Sequence, residues 1–322
     1  MPTSPPSIKE TYPQVFNENI TSWMDSPYAK APSEFDMCLL VEDMPDRWFE
    51  QSFGIQGVPK PTLRRDLQPF QQVTKQKGMG NVIRLLQYGS QLTVEESAIR
   101  YGRHKEAFQG GIDMIESAKT LMDLVGINLY NNGTTLDAAT DFIENDGTQR
   151  AFFSTGHVRE DGATTYANYS ATVVAPNIDT LYSILQQGFG MLRDNVGNFI
   201  NMGHEYYIYT PMNVPTYGRP ADQIVQSQTD PFTANRAVNT ITANYRLTHR
   251  PIRNLTTSTA WYVAIPPQSA NFPFVMKVGK RPSLTPMEAV GPLLPTAMVT
   301  SLMLDFGVGK RRSPRGIYRQ GA

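Results

Sequence analysis

The chain has 322 residues, 40% of them hydrophobic and 10% aromatic, with 24 Gly and 24 Pro; this describes an ordered, turn-rich protein of one or two domains whose core needs no metal or disulfide staple, and it excludes a disordered one. Lys plus Arg and Asp plus Glu number 29 each, so no whole-chain field draws the protein onto nucleic acid or anionic lipid, and any such contact is local. Cys38 stands alone and excludes an intramolecular disulfide, while the N-terminus lacks a basic-then-apolar signal pattern and no apolar run reaches the ~20 residues that span a bilayer, so folding in a reducing cytoplasm without membrane contact is expected.

Residues 1 to about 35 hold several prolines and scattered aromatics without a sustained period, which reads as an arm that gains order only on another surface. Next, "FQQVT" and "NVIRLLQYGSQLTV" are extended runs separated by "KQKGMG", predicting a long hairpin with a flexible basic tip. Thr93 and Glu96 match a capping box, in which a hydroxyl and a carboxylate each satisfy an orphaned backbone N–H, so a helix is expected to start near there. The clearest apolar stripe follows: Phe108, Ile112, Ile115, Met122, Val125 and Leu129, with Asn131-Asn132-Gly133 as its stop. Lys105 to Tyr130 would then be a rod of about 35–40 Å, which the pair Gly110-Gly111 is placed to weaken or bend.

A second helix is predicted from Asn177 as cap through Leu192. The texture then changes to short β-branched and aromatic runs bounded by Pro, Gly and Asn: "EYYIYTPMNVP", "NYRLTHRPIR", "TAWYVAIPP", "FPFVMKVGKRP" and "AMVTSLMLDFGVG". A short helix around "GRPADQIVQS" lies among them. The order predicts an α+β protein rather than a regular βαβ alternation.

Ser154, His157, Glu160 and Asp161 crowd into "RAFFSTGHVREDGATTYANYS" and invite a Ser/His hydrolase reading. No strand-turn-helix elbow presents Ser154, however, and a structural role for this loop is the expectation. The four histidines are far apart in sequence with no i,i+4 pair, so no metal site is suggested. "DFGVGKRRS" fails as a phosphate loop, because Leu304 stands where the first Gly belongs and Arg311 where Ser or Thr belongs. No cofactor is expected. The basic tail with Lys310, Arg311, Arg312, Arg315 and Arg319 suits either DNA phosphates or a subunit-contacting surface. Lys75, Lys77 and Arg84 of the hairpin suit either protection of an exposed edge or pairing with acidic residues of an adjacent subunit.

The order of these features resembles the major capsid protein family of tailed bacteriophages. In that family a Ser-Ala and an Asn-Asn flank the end of a long spine helix, matched by Ser117, Ala118, Asn131 and Asn132. An Asp-Gly, Phe-Ser, His, Gly, Thr and Asn series follows, matched by Asp146, Gly147, Phe153, Ser154, His157, Gly162, Thr164 and Asn168. The Thr-Ala-Trp-Tyr strand is matched by Thr259 to Tyr262, and "FPFVMKVGKRP" is similar to the family's Pro-Phe strand. The resemblance covers roughly residues 55 to 322 and departs at the helix start, where "RYGRHKEAFQGG" replaces a pair of acidic residues.

The resemblance implies an HK97-like fold: an N-terminal arm over 1–54, an E-loop hairpin over 55–92 and a peripheral domain with the spine helix over 93–175. An axial domain would cover 176–270, with return strands and a C-terminal tail over 271–322. It implies a non-enzymatic subunit that assembles with itself as hexamers and pentamers in an icosahedral shell, built in the host cytoplasm and resident in the virion. The implied partners are a separate scaffolding protein, a portal, optionally a decoration protein, and packaged double-stranded DNA held by non-specific contact. An encapsulin-like compartment shell is the alternative.

Overall fold

The computed structural model describes residues 8–25, 33–44, 49–55, 77–95, 104–137, 141–144, 146–159, 162, 164–194, 197–227, 239–290, 297–311 and 314–322. The first element corrects the expectation of an irregular arm: α1 runs from Ile8 to Met24 as a helix, with Pro13 inside it. Tyr12, Phe16, Ile20 and Trp23 are spaced four, four and three, one stripe of a helix, and all four pack into the core. Helix α2 (Glu34–Cys38) follows, capped reciprocally by Ser33 and Asp36.

Strand β1 (Leu40–Asp43) enters the first sheet, and β2 (Phe49–Ile55) pairs antiparallel with β3 (Lys77–Arg84), Phe49 opposite Arg84. A hairpin therefore exists: the expected second run, 81–94, is strand in β3 and β4 with a break only at Leu85, and β2 pairs with its first part. Residues 77–80 of the expected tip are strand, and "FQQVT" lies outside the described residues. After Leu85 the chain continues as β4 (Leu86–Glu95), so Thr93 is a strand residue and not a helix cap. Glu96 lies outside the described residues. A lone Thr-x-x-Glu is overridden here by ten residues of pairing.

The long helix α3 spans His104–Asn131, within a residue of the expected rod at each end. Its helical hydrogen bonding continues through Gly110-Gly111. The reason for Gly111 is steric: a Cβ there would sit 2.9 Å from Phe16 and 3.0 Å from Ile20, so the missing side chain admits α1. Ile112, Ile115, Met122, Ile127 and Tyr130 are buried along one face.

Beyond it come the short strands β5 (His157–Val158), β6 (Thr165–Tyr166) and β7 (Tyr169–Ser170). Helix α4 (Ile178–Ser183) is capped by Asn177, whose side chain accepts from Thr180 N at 2.8 Å, and it continues as a π turn over Ile184–Phe189. The expected strands and helix then appear in order: β8 (Glu205–Pro211), α5 (Pro215–Gln226), the short α6 (Thr240–Asn244), β9 (Arg246–Ile252), β10 (Trp261–Ala264) and β11 (Phe274–Leu284). The chain closes with β12 (Glu288–Val290), β13 (Ala297–Lys310) and β14 (Ile317–Gln320).

Two five-stranded sheets result. The first orders β1-β11-β13-β12, with β4 on β13 as well; the second orders β7-β14-β10-β8-β9. In the first, β13 lies opposite β11 from Phe274↔Lys310 to Leu284↔Leu302 and opposite β4 from Ala297↔Glu95 to Phe306↔Leu86. In the second, Trp261, Tyr262, Val263 and Ala264 of β10 are all fully buried, and β14 returns the C-terminal residues to this sheet rather than leaving them as a tail. Tyr130 at the end of α3 joins the layers: its ring meets Tyr209, Tyr262 and Phe274 edge-on, and its hydroxyl donates to the Cys38 carbonyl at 2.7 Å.

Candidate functional site

The stretch that resembles chemistry is a structural loop. His157 is 1% exposed, with Nδ1 on Glu144 Oε1 and Nε2 2.9 Å from the Phe152 carbonyl oxygen. Both ring nitrogens are thus occupied, and neither is left for a nucleophile. Ser154 Oγ instead accepts from Gly156 N at 3.3 Å, a local turn bond. Asn168 organises the segment: its amide donates to the Phe152 carbonyl at 2.7 Å, and its side-chain oxygen accepts from Ser154 N at 2.9 Å. Glu144 also accepts from Val158 N at 2.9 Å and pairs with Arg150. Phe152 and Phe153 fill the core between the sheets, so the loop is an anchored lining. Glu160 and Asp161 lie outside the described residues.

A relay with the connectivity of a hydrolase site does occur elsewhere, and sequence reading missed it because its members are 39 and 27 residues apart. Thr210 Oγ1 is 2.8 Å from His249 Nε2, and His249 Nδ1 is 2.7 Å from Asp222 Oδ1. They border a cavity of about 440 Å³ between α5 and the edge of the second sheet. Thr210 nevertheless has 0% exposure, and a Cβ on Gly218 would lie only 3.8 Å from its hydroxyl. No substrate carbonyl reaches that oxygen. The relay ties α5 to β8 and β9 through hydrogen bonds. Cys38 is equally unsuited to nucleophilic work: it is fully buried, and burial pushes its thiol up, well above the usual range. Among the described residues no group of three or more His, Cys, Asp or Glu is placed to hold a metal, and no helix is long and apolar enough to cross a membrane.

The basic tail requires the largest correction. Lys310 is 3% exposed and pairs with Asp141, beside the Phe152 ring. Arg315 and Arg319 are also buried, the latter against Tyr169 and Tyr262. Arg311 pairs with Glu42, which also holds the buried Lys277. These cations face the interior of the chain, so Lys310 and Arg315 have no surface to offer DNA, and Arg311 is half-buried in an ion pair. Arg312 lies outside the described residues. The reason is β-pairing: β11 and β14 draw the segment between two sheets, where each cation must find a carboxylate, a carbonyl or an aromatic face.

Of the hairpin residues, Arg84 is exposed on β3 opposite Phe49, which is 57% exposed. Lys77 is in the same strand with its side chain outside the described set, and Lys75 lies outside it altogether. Val82 and Leu86 are exposed nearby. This face combines exposed apolar side chains with a cation, as a subunit-contacting surface does.

No family model matches the chain. No curated protein matches it either. Solved structures do. The capsid of Myoviridae phage XM1 is similar at TM-score 0.51 and 10% identity, covering 90% of this chain and 91% of that one. The mature capsid of bacteriophage PhiM1 is similar at TM-score 0.51 and 12% identity, covering 90% and 87%. The virus-like particle from Pyrococcus furiosus covers 98% of this chain and all of its own at TM-score 0.47 and 9% identity. The first two likenesses show the fold: the chain has the architecture of phage capsid chains, the HK97-like fold that the collinear motifs imply.

Proposed function

We propose that this chain is the major capsid protein of a tailed bacteriophage, a shell subunit that assembles with itself as pentamers and hexamers around double-stranded DNA. The observation that carries this reading is the shared fold over nine-tenths of the chain with two phage capsid chains. The physical chemistry agrees with it. The Ser154–His157 and Thr210–His249 arrangements are both spent on internal bonds, while apolar residues of the hairpin face solvent. A balanced 29 against 29 charge lets many copies pack without net self-repulsion. In this reading the first sheet with α3 forms the peripheral domain, the second sheet the axial domain, and the β2/β3 hairpin the E-loop. Arg84, Lys75 and Lys77 are contacts to a neighbouring subunit. A separate scaffolding protein and a portal take part in assembly, a decoration protein optionally, and the finished shell resides in the virion.

Sedimentation velocity on the purified chain, with nuclease digestion of any co-purifying material, tests the proposal. Particles of many subunits that protect double-stranded DNA support it. Particles that hold a protein cargo and no DNA overturn it in favour of an encapsulin-like compartment, and a stable monomer overturns both.

A further inference from the structure

Asn132-Gly133 is the one Asn-Gly pair in the sequence. Its glycine is a steric requirement: a Cβ on Gly133 would lie 2.5 Å from the Phe153 ring and 2.8 Å from the Leu129 carbonyl oxygen, so only a residue without a side chain closes the turn that ends α3. Asn132 itself is exposed, and its side-chain amide has no hydrogen bond among the described residues. The Gly133 N–H is equally unengaged among them. The last N–H to reach back into the helix is that of Asn132, onto Asn128 O at 2.9 Å, and the turn closes through Thr135 N on Asn132 O at 2.9 Å. An unbound backbone N–H and an unbound side-chain amide therefore stand on adjacent residues. Asn131 is the opposite case, with Nδ2 on the Asn254 carbonyl at 3.0 Å and Oδ1 accepting from Thr256 N at 3.1 Å.

The Asp-Gly pair at 146–147 has the same kind of sequence and is held shut. There the Gly147 N–H donates to Glu144 O at 2.9 Å. Asp146 Oδ1 accepts from Thr148 N at 2.9 Å and Oδ2 from Arg150 Nη2 at 2.7 Å. These bonds, that of Arg150 first, hold the carboxyl down at about 2, and the resulting carboxylate is a poor target for an attacking nitrogen.

We infer that Asn132 is a site of spontaneous covalent modification. The Gly133 backbone nitrogen loses its proton to solvent and attacks Asn132 Cγ; the new N–C bond closes a succinimide ring, and the Cγ–Nδ2 bond breaks with release of ammonia. Water then opens the ring at either carbonyl and leaves an aspartyl or an isoaspartyl residue at position 132. Either product places a negative charge at the carbonyl end of α3, the unfavourable sign for the helix dipole. The isoaspartyl form also lengthens the main chain beside Gly133 O, which the Phe153 N–H holds at 2.8 Å. The modification thus loosens the seam between α3 and the His157 stretch as the protein ages. The inference does not depend on the proposed shell function.

Peptide mapping by mass spectrometry of the full chain, after prolonged incubation at mildly alkaline pH both native and in urea, tests it. In the native chain position 132 is expected to convert at least about tenfold faster than Asn131, Asn168 or Asp146. In urea, conversion at Asp146 is expected to rise because its hydrogen bonds are gone. Asn132→Gln keeps an exposed amide but closes the ring far less readily. It should remove the native conversion, together with the fall in urea midpoint that accompanies it. Conversion at position 132 in urea alone would mean that the fold holds the pair closed, and overturns the inference. No conversion in either state, or native conversion spread evenly over the asparagines, overturns it as well. Native conversion at Asp146 as fast as at Asn132 overturns the claim that hydrogen bonding selects the site.

Discussion

Lys310 Nζ closes on the Asp141 carboxylate across 169 residues of sequence, and the two side chains are 4% and 1% exposed. The pair fastens the end of β13 to the loop that leads into the His157 stretch. Asp141 has a second duty, accepting from Asp137 N at 2.7 Å.

Removing one partner leaves an uncompensated buried charge, a mechanism that costs about 3–5 kcal/mol. Lys310→Met is therefore expected to lower the urea midpoint steeply. Adding Asp141→Asn, which keeps an acceptor for Asp137 N, is expected to restore most of the loss. DNA association at fixed salt should not change in the folded double variant. A Lys310→Met protein as stable as the parent would contradict the pairing.

His157→Ala empties a buried site and strands one oxygen of Glu144, while the Phe152 carbonyl keeps the Asn168 amide as its donor. Unsatisfied buried groups of this kind cost about 1–3 kcal/mol each, so a loss in that range is expected by thermal or chemical denaturation. Ser154→Ala, which deletes only a turn acceptor, is expected to stay within about 0.5 kcal/mol of the parent. A hydrolytic activity abolished by both changes without loss of stability would contradict the structural role.

Two glycines separate steric from conformational demand. A Cβ on Gly307 would lie 2.0 Å from the Arg84 carbonyl oxygen, which is backbone and cannot swing aside. Gly307→Ala should force β13 and β3 apart at about 3 kcal/mol or more, the upper end for overpacking. Gly197 has φ +82° with nothing within 4 Å of its missing Cβ. Gly197→Ala should cost only the left-handed penalty of about 1–2 kcal/mol. Equal effects from the two would show that the close approach at Gly307 is wrong.

Asp123 gives a pH dependence of definite sign. Burial pushes its carboxyl up to about 6; the Phe35 N–H works against that shift, and Glu34 and Asp36 add to it. The folded state therefore binds its proton more tightly than the unfolded chain does. This contribution to stability is fully present below the ordinary carboxylate value and is lost as pH rises through about 6. Asp123→Asn keeps the acceptor for Phe35 N without the charge. Its melting temperature should exceed the parent's at pH 8, and the difference should shrink steadily toward pH 4. A difference independent of pH would contradict it.

Strands β8, β9, β10, β11 and β13 were legible because each is a β-branched or aromatic run bounded by Pro, Gly or Asn, whereas β14 was hidden in what reads as a basic tail; α3 was legible because its stripe is long and ends at Asn131-Asn132-Gly133. Helix α1 was missed, because the prolines around it masked the spacing of Tyr12, Phe16, Ile20 and Trp23. What the sequence hides is pairing at a distance. Lys310 with Asp141, Lys277 and Arg311 with Glu42, and Thr210 with His249 are set by the register of strands. A run of cations reads as a surface until β11 and β14 are seen to bury it. The His157 loop was legible as non-catalytic from its lack of an elbow, though its organiser Asn168 was visible only as part of a motif.

Electron microscopy of the purified full-length chain tests the shell function most directly. Closed shells, or rings of five and six subunits whose wall accommodates the two-sheet subunit, are the predicted result. A compact particle of 36.0 kDa that stays monomeric across salt and crowding conditions would contradict it.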